Sequence, residues 1–283
     1  MSASSVPLAI RRARLLKEVP PFRPVAVQLL GLVSDVSQPL ARVVSLLRTD
    51  AVVTAEVLRL ANSPLLGCRS EIKNILQALA FLGTDRVNSL IVTTAMRGLA
   101  GPANGKLARA CWRHNLATAV TCEHLAPDLD MNQERAYVGG LIHHIGRLAL
   151  LRAFPDYENA VTQAFAEGRS LPAAEKELYG MDHGEAGRWL LCQWGCPLDM
   201  QIVASLHENP AAATGPDREL VRLVSAASRM ADLMEFSDFP ETQPAELPQI
   251  AEWLPDAAGR LADFPALARF VATRVNGIEL SLG

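Results

Sequence analysis

Five of the six histidines in this 283-residue chain are placed where they could meet in one site. Two are adjacent in sequence and three come from separate segments: His114, His143, His144, His183 and His207. Neutral imidazoles are good ligands for zinc, iron and nickel, and metal sites that hydrolyse phosphate esters normally add a carboxylate to polarise water. If the chain binds a metal, these five histidines are the candidate ligands. The carboxylate that hydrolysis requires is missing from the pattern.

The adjacent histidines lie on a predicted helix from about Arg135 to Leu151, off its main apolar stripe. Gly139 and Gly140 share that side of the helix, and glycine lets a second helix approach closely. His114 lies on the buried line of an earlier helix. We therefore expect the five histidines to line one crevice between helices. Burying several imidazoles together favours their neutral forms, because protonation would create unpaired like charges.

A simpler interpretation is that the histidines are vestigial residues that hydrogen-bond between helices and bind no metal, and we favour it. His124 lies outside the group, near Pro127, and is expected to be a partly exposed helix residue. Cys192 and Cys196 are one helical turn apart, but the chain has no C-x-x-C pair, so we do not expect them to bind metal.

Apolar residues recur at helical spacing along almost the whole chain, which predicts an all-α protein. Asp50 is predicted to cap one helix, Gly83 to end the next, and Thr84 to cap the one after it. Three apolar stripes precede the helix that ends at Gly83: Val25, Leu29, Leu32 and Val33; Leu40, Val43, Val44 and Leu47; and Val53, Val57, Leu60 and Ala61.

Two capped helices are predicted to carry the later histidines. Asp182 is a plausible cap for a helix through Trp194, and Pro197 begins another that ends near His207. Beyond Pro210 a further helix and a final amphipathic tail are expected. The stripe of that further helix is Leu220, Leu223, Val224, Ala227, Met230, Ala231 and Met234.

The composition is that of an ordinary globular protein, with 49% hydrophobic and 20% charged residues. The 27 Lys and Arg residues against 30 Asp and Glu give a net charge of −3, so no global charge attracts the chain to nucleic acid. No apolar run approaches the ~18 residues of a membrane span, and no signal-peptide core is present. The five cysteines fit reduced thiols, so we expect a cytoplasmic protein that does not contact membranes.

Several segments in the right order resemble the HDOD domain, a bacterial relative of the HD metal-dependent phosphohydrolases. The resemblance runs from about Val19 to Asn209, and it rests on many motifs of which each alone would be weak. These motifs are V-P-P-F at Val19 to Phe22, R-L-A-N-S-P-L-L-G at Arg59 to Gly67, A-L-A-F-L-G-T-D-R-V at Ala78 to Val87, W-R-H-N at Trp112 to Asn115, G-L-I-H-H-I-G-R-L-A-L-L at Gly140 to Leu151, Y-G-M-D-H-G-E-A-G at Tyr179 to Gly187 and W-G-C-P at Trp194 to Pro197.

The resemblance implies a multi-helix bundle in which an N-terminal half specific to HDOD proteins packs on a half similar to the HD fold, followed by a C-terminal helical extension. The implied boundaries are an N-terminal arm at 1–19, the first half at 20–104, the HD-like half at 105–210 and the extension at 211–283. Short amphipathic helices are marginal without a tertiary surface, so we expect both halves to fold as one cooperative unit.

In catalytic HD enzymes a histidine, a His-Asp doublet and a later aspartate bind the metal. Carried onto this chain, these positions are His114, His143 with His144, and Ser228. Both carboxylate positions are therefore lost, although Asp232 lies one helical turn from Ser228 and could substitute. The resemblance thus implies a degenerate metal site, and no cofactor is expected.

The predicted function is a non-catalytic regulatory module of bacterial signal transduction that acts through protein–protein contact or a small ligand. HDOD proteins resemble output modules, so the expected partners are signalling proteins, including components of cyclic-dinucleotide pathways. The alternative is a metal-dependent phosphohydrolase or phosphodiesterase with altered, histidine-rich ligands, although the G-Y-P segment of HD-GYP enzymes is absent. Residues 75–94 look like a helix-turn-helix but offer few basic groups, so we do not expect nucleic-acid binding.

Overall fold

A computed structural model of the chain describes residues 7–19, 21–22, 26–28, 31, 40–63, 66, 71–101, 105–239 and 246–282. Within these ranges the regular secondary structure is helical and no β-strand occurs, so the predicted all-α class is confirmed. The predicted stripe of Val25, Leu29, Leu32 and Val33 lies outside the described residues, as does Cys68.

The part of the structure described before the first histidine contains α1 Leu8–Glu18, α2 Leu40–Arg48, α3 Ala51–Ala61, α4 Ile75–Leu82 and α5 Thr84–Ala100. Asp50 caps α3 as predicted, because its carboxylate accepts the amide proton of Val53 at 3.1 Å. Gly83 ends α4 with a φ of +81°, a conformation that favours glycine. The predicted Thr84 cap is wrong, since Gly83 also serves as the N-cap of α5 and Thr84 is already helical.

The next helices include those that carry the clustered histidines or end beside them: α6 Gly105–Leu125, α7 Gln133–Ile142, α8 Ile145–Ala153, α9 Tyr157–Ala166, α10 Leu171–Tyr179, α11 His183–Gln193 and α12 Leu198–Leu206. Four more follow: α13 Arg218–Leu233, α14 Leu247–Trp253, α15 Ala258–Leu261 and α16 Phe264–Leu282. The predicted stripe on α13 is buried, and α16 buries its own stripe of Leu267, Val271, Val275 and Ile278.

Helix α6 is the centre of the molecule. It is buried on almost all sides between Cys111 and Cys122, because α5, α7, α8, α13 and α16 all pack against it. The buried apolar residues of the N-terminal helices and of the later helices belong to one connected core. The central position of α6 places His114 inside that core, 1% exposed.

The helix predicted from Arg135 to Leu151 is wrong in one respect, because it breaks at the histidine doublet. Helix α7 ends at Ile142 and α8 begins at Ile145. His143 Nδ1 lies 2.6 Å from the carbonyl oxygen of Gly140, the oxygen that a continuous helix would offer to the amide of residue 144. The turn brings the imidazoles of His143 and His144 within 4.0 Å of each other, measured between ring centroids.

Among the described helices, none has alone both the length and the apolar composition of a membrane span. Helices α4 and α5 pass that test only as a pair, and they are bent by 112° relative to each other.

Candidate functional site

Glycines let the helices around the histidine doublet approach closely. A β-carbon on Gly140 would lie 2.7 Å from the Cα of Ala119 on α6. A β-carbon on Gly146, on α8, would overlap the carbonyl oxygen of His183, where α11 begins. The close approach expected at Gly140 is therefore present. Gly146 brings α8 and α11 together in the same way, a close approach that was not predicted from the sequence.

Local sequence signals position His183 and His207 at helix ends that face the doublet. Asp182 caps α11 and forms a capping box with Glu185, so His183 is the first residue of that helix, as predicted. His207 follows directly after the last residue of α12. Its Nδ1 lies 3.1 Å from the carbonyl oxygen of Ala204, which leaves Nε2 to face the crevice.

The structure brings the five histidines into one cluster. Each is between 0% and 3% exposed. Ring centroids are 5.0 Å apart for His114 and His144, 4.9 Å for His144 and His207, and 5.3 Å for His183 and His207. The side chains come from α6, the α7–α8 turn, α11 and the end of α12, so the crevice exists only in the complete bundle.

Helix α13 closes one side of the cluster with both residues expected near the lost aspartate. Ser228 Oγ lies 3.0 Å from Nε2 of His114, and Asp232 Oδ1 lies 3.4 Å from Nδ1 of the same ring. The carbonyl oxygen of Phe236 is also 3.2 Å from Nδ1, so this nitrogen carries the proton. Ser228 and Asp232 therefore contact opposite edges of the His114 imidazole.

The structure corrects the expectation that carboxylates are missing from the cluster. Glu175 Oε2 on α10 accepts from Nδ1 of His183 at 2.7 Å and from its backbone amide at 2.8 Å. Glu208 Oε1 lies 3.5 Å from His183 Nε2, and Asp238 Oδ2 lies 3.5 Å from His144 Nδ1. Glu208 could have been noticed from its place beside His207, but Asp238 lies in the segment after α13 and carries no sequence signal.

A buried arginine stands among these groups and was also missed. Arg147 on α8 is one turn beyond His143, in the motif H-H-I-G-R, and its side chain is 3% exposed. Its Nη1 donates to Asp238 Oδ2 at 2.6 Å, and its Nη2 lies 3.4 Å from Nε2 of His183. The crevice therefore contains its own fixed positive charge.

Three of the imidazoles are held neutral, as expected. Burial lowers the pKa of His143, His144 and His207, to about 4 for His207. Positive charge on Arg147 and on neighbouring imidazoles lowers the pKa of His143 and His144 further.

The other two imidazoles differ from the expectation, because their pKa values are raised rather than lowered. Burial lowers the pKa of His183, but the Glu175 carboxylate outweighs burial and raises it to about 9. Burial likewise opposes the charged form of His114, but the hydrogen bond to Asp232 and the charge of Asp238 raise its pKa. A carboxylate beside an imidazole favours the imidazolium form, so near neutral pH the cluster combines neutral imidazoles with the charged ring of His183.

The residues present do not fit the hydrolytic metal centre of catalytic HD enzymes. His144 and Ser228 stand where the resemblance places carboxylates, and the Asp238 carboxylate is bound to Arg147. In favour of a metal, the Nε2 atoms of His143 and His144 are buried and have no hydrogen-bond partner. The nitrogen atoms are thus suitable metal ligands, but the positively charged Arg147 guanidinium already lies beside them.

The remaining sequence candidates lie away from the cluster. His124 packs its ring against Phe270 at 4.9 Å between centroids, and it is partly exposed as expected. Cys192 is exposed and Cys196 is buried, and both are free thiols. Among the described residues, neither cysteine belongs to a group of side chains spaced to bind a metal ion.

The sequence pattern of the HDOD domain matches residues 19–210. This match covers more than half of the chain, so the chain belongs to the HDOD domain family. An uncharacterised protein of Treponema pallidum (strain Nichols) is 21% identical over 225 residues, which are 78% of this chain and 44% of that protein. The chain therefore spans less than half the length of this curated relative.

Three solved structures share the fold. An HDOD domain protein of unknown function from Geobacter sulfurreducens is 23% identical, with a TM-score of 0.76 and coverage of 95% of this chain and 98% of that one. A proposed phosphohydrolase from Shewanella amazonensis SB2B is 26% identical, with a TM-score of 0.70 and coverage of 96% and 98%. A proposed signal transduction protein from Marinobacter aquaeolei VT8 is 19% identical, with a TM-score of 0.73 and coverage of 99% and 67%.

Proposed function

We propose that this HDOD protein is a non-catalytic regulatory module of bacterial signal transduction, which acts by binding a partner protein or a small ligand. The observation that carries the proposal is the Arg147–Asp238 pair inside the HD-like crevice. Catalysis by the HD enzymes it resembles needs carboxylates that hold a metal ion and orient water. Here the Asp238 carboxylate, which lies 3.5 Å from His144, is neutralised by Arg147 of the same chain.

The size of the crevice supports a non-catalytic role. The cavity bounded by His114, His144, Arg147, Glu208 and Asp238 has a volume of about 50 Å³. This volume suits a few water molecules rather than a phosphodiester, because a single water needs ~10–15 Å³ of such space. A phosphodiester would need more space than this cavity provides.

The partners we propose are cytoplasmic signalling proteins, including components of cyclic-dinucleotide pathways. Membranes and nucleic acids are not among them. The family match and the fold shared with a proposed signal transduction protein support this class of partner. Fold alone does not define function, so the partner has to be identified by experiment.

Hydrolysis is tested with the full chain and His143→Ala, each assayed on bis(p-nitrophenyl) phosphate and on a cyclic dinucleotide with Mn²⁺ or Zn²⁺. We expect no metal-dependent turnover by the wild type above that of the variant. Turnover that His143→Ala abolishes would contradict the proposal. Partner binding is tested by affinity capture from the native cell followed by reciprocal capture with the identified protein as bait.

A second candidate function is a metal-dependent phosphohydrolase with altered, histidine-rich ligands. The unpartnered Nε2 atoms of His143 and His144 favour it, since both are lone-pair donors in a buried site. The resemblance to a proposed phosphohydrolase at 26% identity agrees with it. The turnover assay above separates the two functions.

A further inference from the structure

We propose that the Arg147 guanidinium takes the place of a metal ion in this crevice and excludes divalent cations from it. The inference concerns the chemistry of the crevice alone, and it holds whether or not the signalling role proposed above is correct.

Four side chains around the guanidinium are spaced as metal ligands are spaced. His144, His183, His207 and Glu208 each offer one donor atom, and these atoms all lie within 4.8 Å of one another. The Nε2 atoms of His183 and His207 are 3.3 Å apart. In a tetrahedral site with metal–nitrogen bonds of ~2.0–2.1 Å, two ligand atoms are about 3.3 Å apart.

The outer contacts of two of these imidazoles also match those of metal ligands. Nδ1 of His183 is bound to Glu175, and Nδ1 of His207 is bound to the carbonyl oxygen of Ala204. Ligating histidines usually hold their second nitrogen in this way, which fixes the ring and directs Nε2 at the ion. The donor set is therefore oriented toward a common point.

Arg147 supplies positive charge next to that point. Its Nη2 lies 3.4 Å from His183 Nε2 and 3.8 Å from Glu208 Oε1, and its Nη1 lies 3.5 Å from His144 Nδ1. The guanidinium thus touches three of the four donor residues and binds Asp238 at 2.6 Å. A divalent ion bound to the same donors would lie beside a buried like charge, which disfavours its binding.

The charges of the crevice are balanced by the chain itself. Asp238 pairs with Arg147, and Glu208 has Arg147 at 3.8 Å and Arg229 at 3.9 Å. Glu175 pairs with His183 and also accepts the Tyr157 hydroxyl. A metal ion normally compensates such carboxylates, whereas here arginine and histidine side chains do so.

The test is Co²⁺ binding to the purified full chain, measured by calorimetry and by the visible absorption of cobalt bound to imidazole. The variants are Arg147→Met, which removes the charge and keeps much of the volume, and Arg147→Met with Asp238→Asn, which removes both charges of the pair. Arg135→Met is the matched control. Arg135 also binds two carboxylates, Asp199 and Asp217, each at 2.9 Å, but it lies outside the crevice.

We expect no stoichiometric Co²⁺ on the wild type or on Arg135→Met. Each Arg147 variant should bind one Co²⁺ per chain at least about 100-fold more tightly than the wild type. Adding Glu208→Gln to either variant should weaken this binding by about 10-fold or more, which places the ion in the proposed donor set.

Stoichiometric Co²⁺ on the wild type would overturn the proposal. Failure of the charge-balanced double variant to bind Co²⁺ would also overturn it, even if the single variant does not fold. Neither result depends on turnover or on partner capture, so failure here is distinct from failure of the proposed function.

Discussion

Arg147 Nη1 lies 2.6 Å from Asp238 Oδ2, although 91 positions separate the two residues in the chain. Both side chains are almost fully buried, with exposures of 3% and 4%. Burial raises the pKa of Asp238, but the charge of Arg147 outweighs burial and holds that pKa below its ordinary value. The ion pair connects α8 to the segment that follows α13, and its two opposite charges compensate each other in the protein interior.

Asp238→Ala should destabilise the protein strongly. It leaves the Arg147 guanidinium buried without its principal partner, and breaking a buried pair in this way typically costs about 3–5 kcal/mol. Arg147→Met combined with Asp238→Asn should recover most of that loss, because no unpaired charge remains. Urea unfolding followed by circular dichroism measures the free energy of unfolding of both variants. Equal stabilities for Asp238→Ala and the wild type would show that the pair contributes little.

Two glycine substitutions should have opposite effects on stability. In Gly146→Ala the new methyl group overlaps the carbonyl oxygen of His183, so α8 and α11 must separate, at a cost of about 3 kcal/mol or more. In Gly98→Ala the methyl group meets no atom within 4 Å, and alanine favours the helix by about 0.5–1 kcal/mol. Thermal unfolding of the two variants beside the wild type checks the predicted signs.

Sequence periodicity predicted the helices well because most of them are amphipathic. Val43, Val44 and Leu47 of the α2 stripe are buried as expected, as are the stripes of α3 and α13. The caps at Asp50 and Asp182 are also present. It failed at the doublet, where the bond of the His143 side chain to Gly140 competes with the backbone bond of a continuous helix. Periodicity predicts which face of a helix is buried. It does not predict that a side chain will bind a backbone carbonyl oxygen and so end the helix.

The histidines of the crevice could be predicted from the sequence, but of the carboxylates that raise their pKa values only Asp232 was predicted. Resemblance to the HD fold located His114 and the doublet because those residues lie in motifs. Asp238 and Glu175 reach the crevice only through the packing of α10 and of the segment after α13. Glu175 raises the pKa of His183, and Asp232 together with Asp238 raises that of His114, so the expected lowering of the pKa by burial failed at these two residues.

Acid should destabilise the native state below about pH 6.5. The pKa of His207 is lowered to about 4, so between pH 6.5 and 4 the unfolded chain binds protons that the folded chain does not. At pH 5 the resulting decrease in the free energy of unfolding from this residue is on the order of 2 kcal/mol. The charged and titratable groups that influence His207 or contact its ring are His143, His144, Arg147, His183 and Glu208.

His183 acts in the opposite direction, because its pKa is raised to about 9. Its contribution to stability is complete below pH 6.5 and is lost as the pH rises toward 9, so stability should be greatest near neutrality. Urea unfolding from pH 4.5 to 9 tests both limbs. His207→Gln should flatten the acid limb, whereas His124→Gln, outside the cluster, should change it less. An acid limb unchanged by His207→Gln would contradict the assignment.

The two helical halves should fold as one unit, so a fragment of residues 105–283 should be unstable or aggregate. Without the N-terminal helices, the faces of α6, α7 and α8 that pack against α5 would be exposed. The fragment would also lose the contacts of Arg86 with Glu123 at 2.5 Å and with Glu134 at 3.3 Å.

The ion pairs are a minor part of that loss, because the buried apolar residues on both sides of residue 105 belong to a single core. Each apolar side chain of α5 that is removed leaves its partners in water, at about 1.5–3 kcal/mol for a fully buried large residue such as Ile91 or Met96. Expression of the fragment beside the full chain, followed by size-exclusion chromatography and calorimetry, tests the prediction. A monomeric fragment with its own sharp thermal transition would show instead that the HD-like half and the C-terminal helices fold without the N-terminal half.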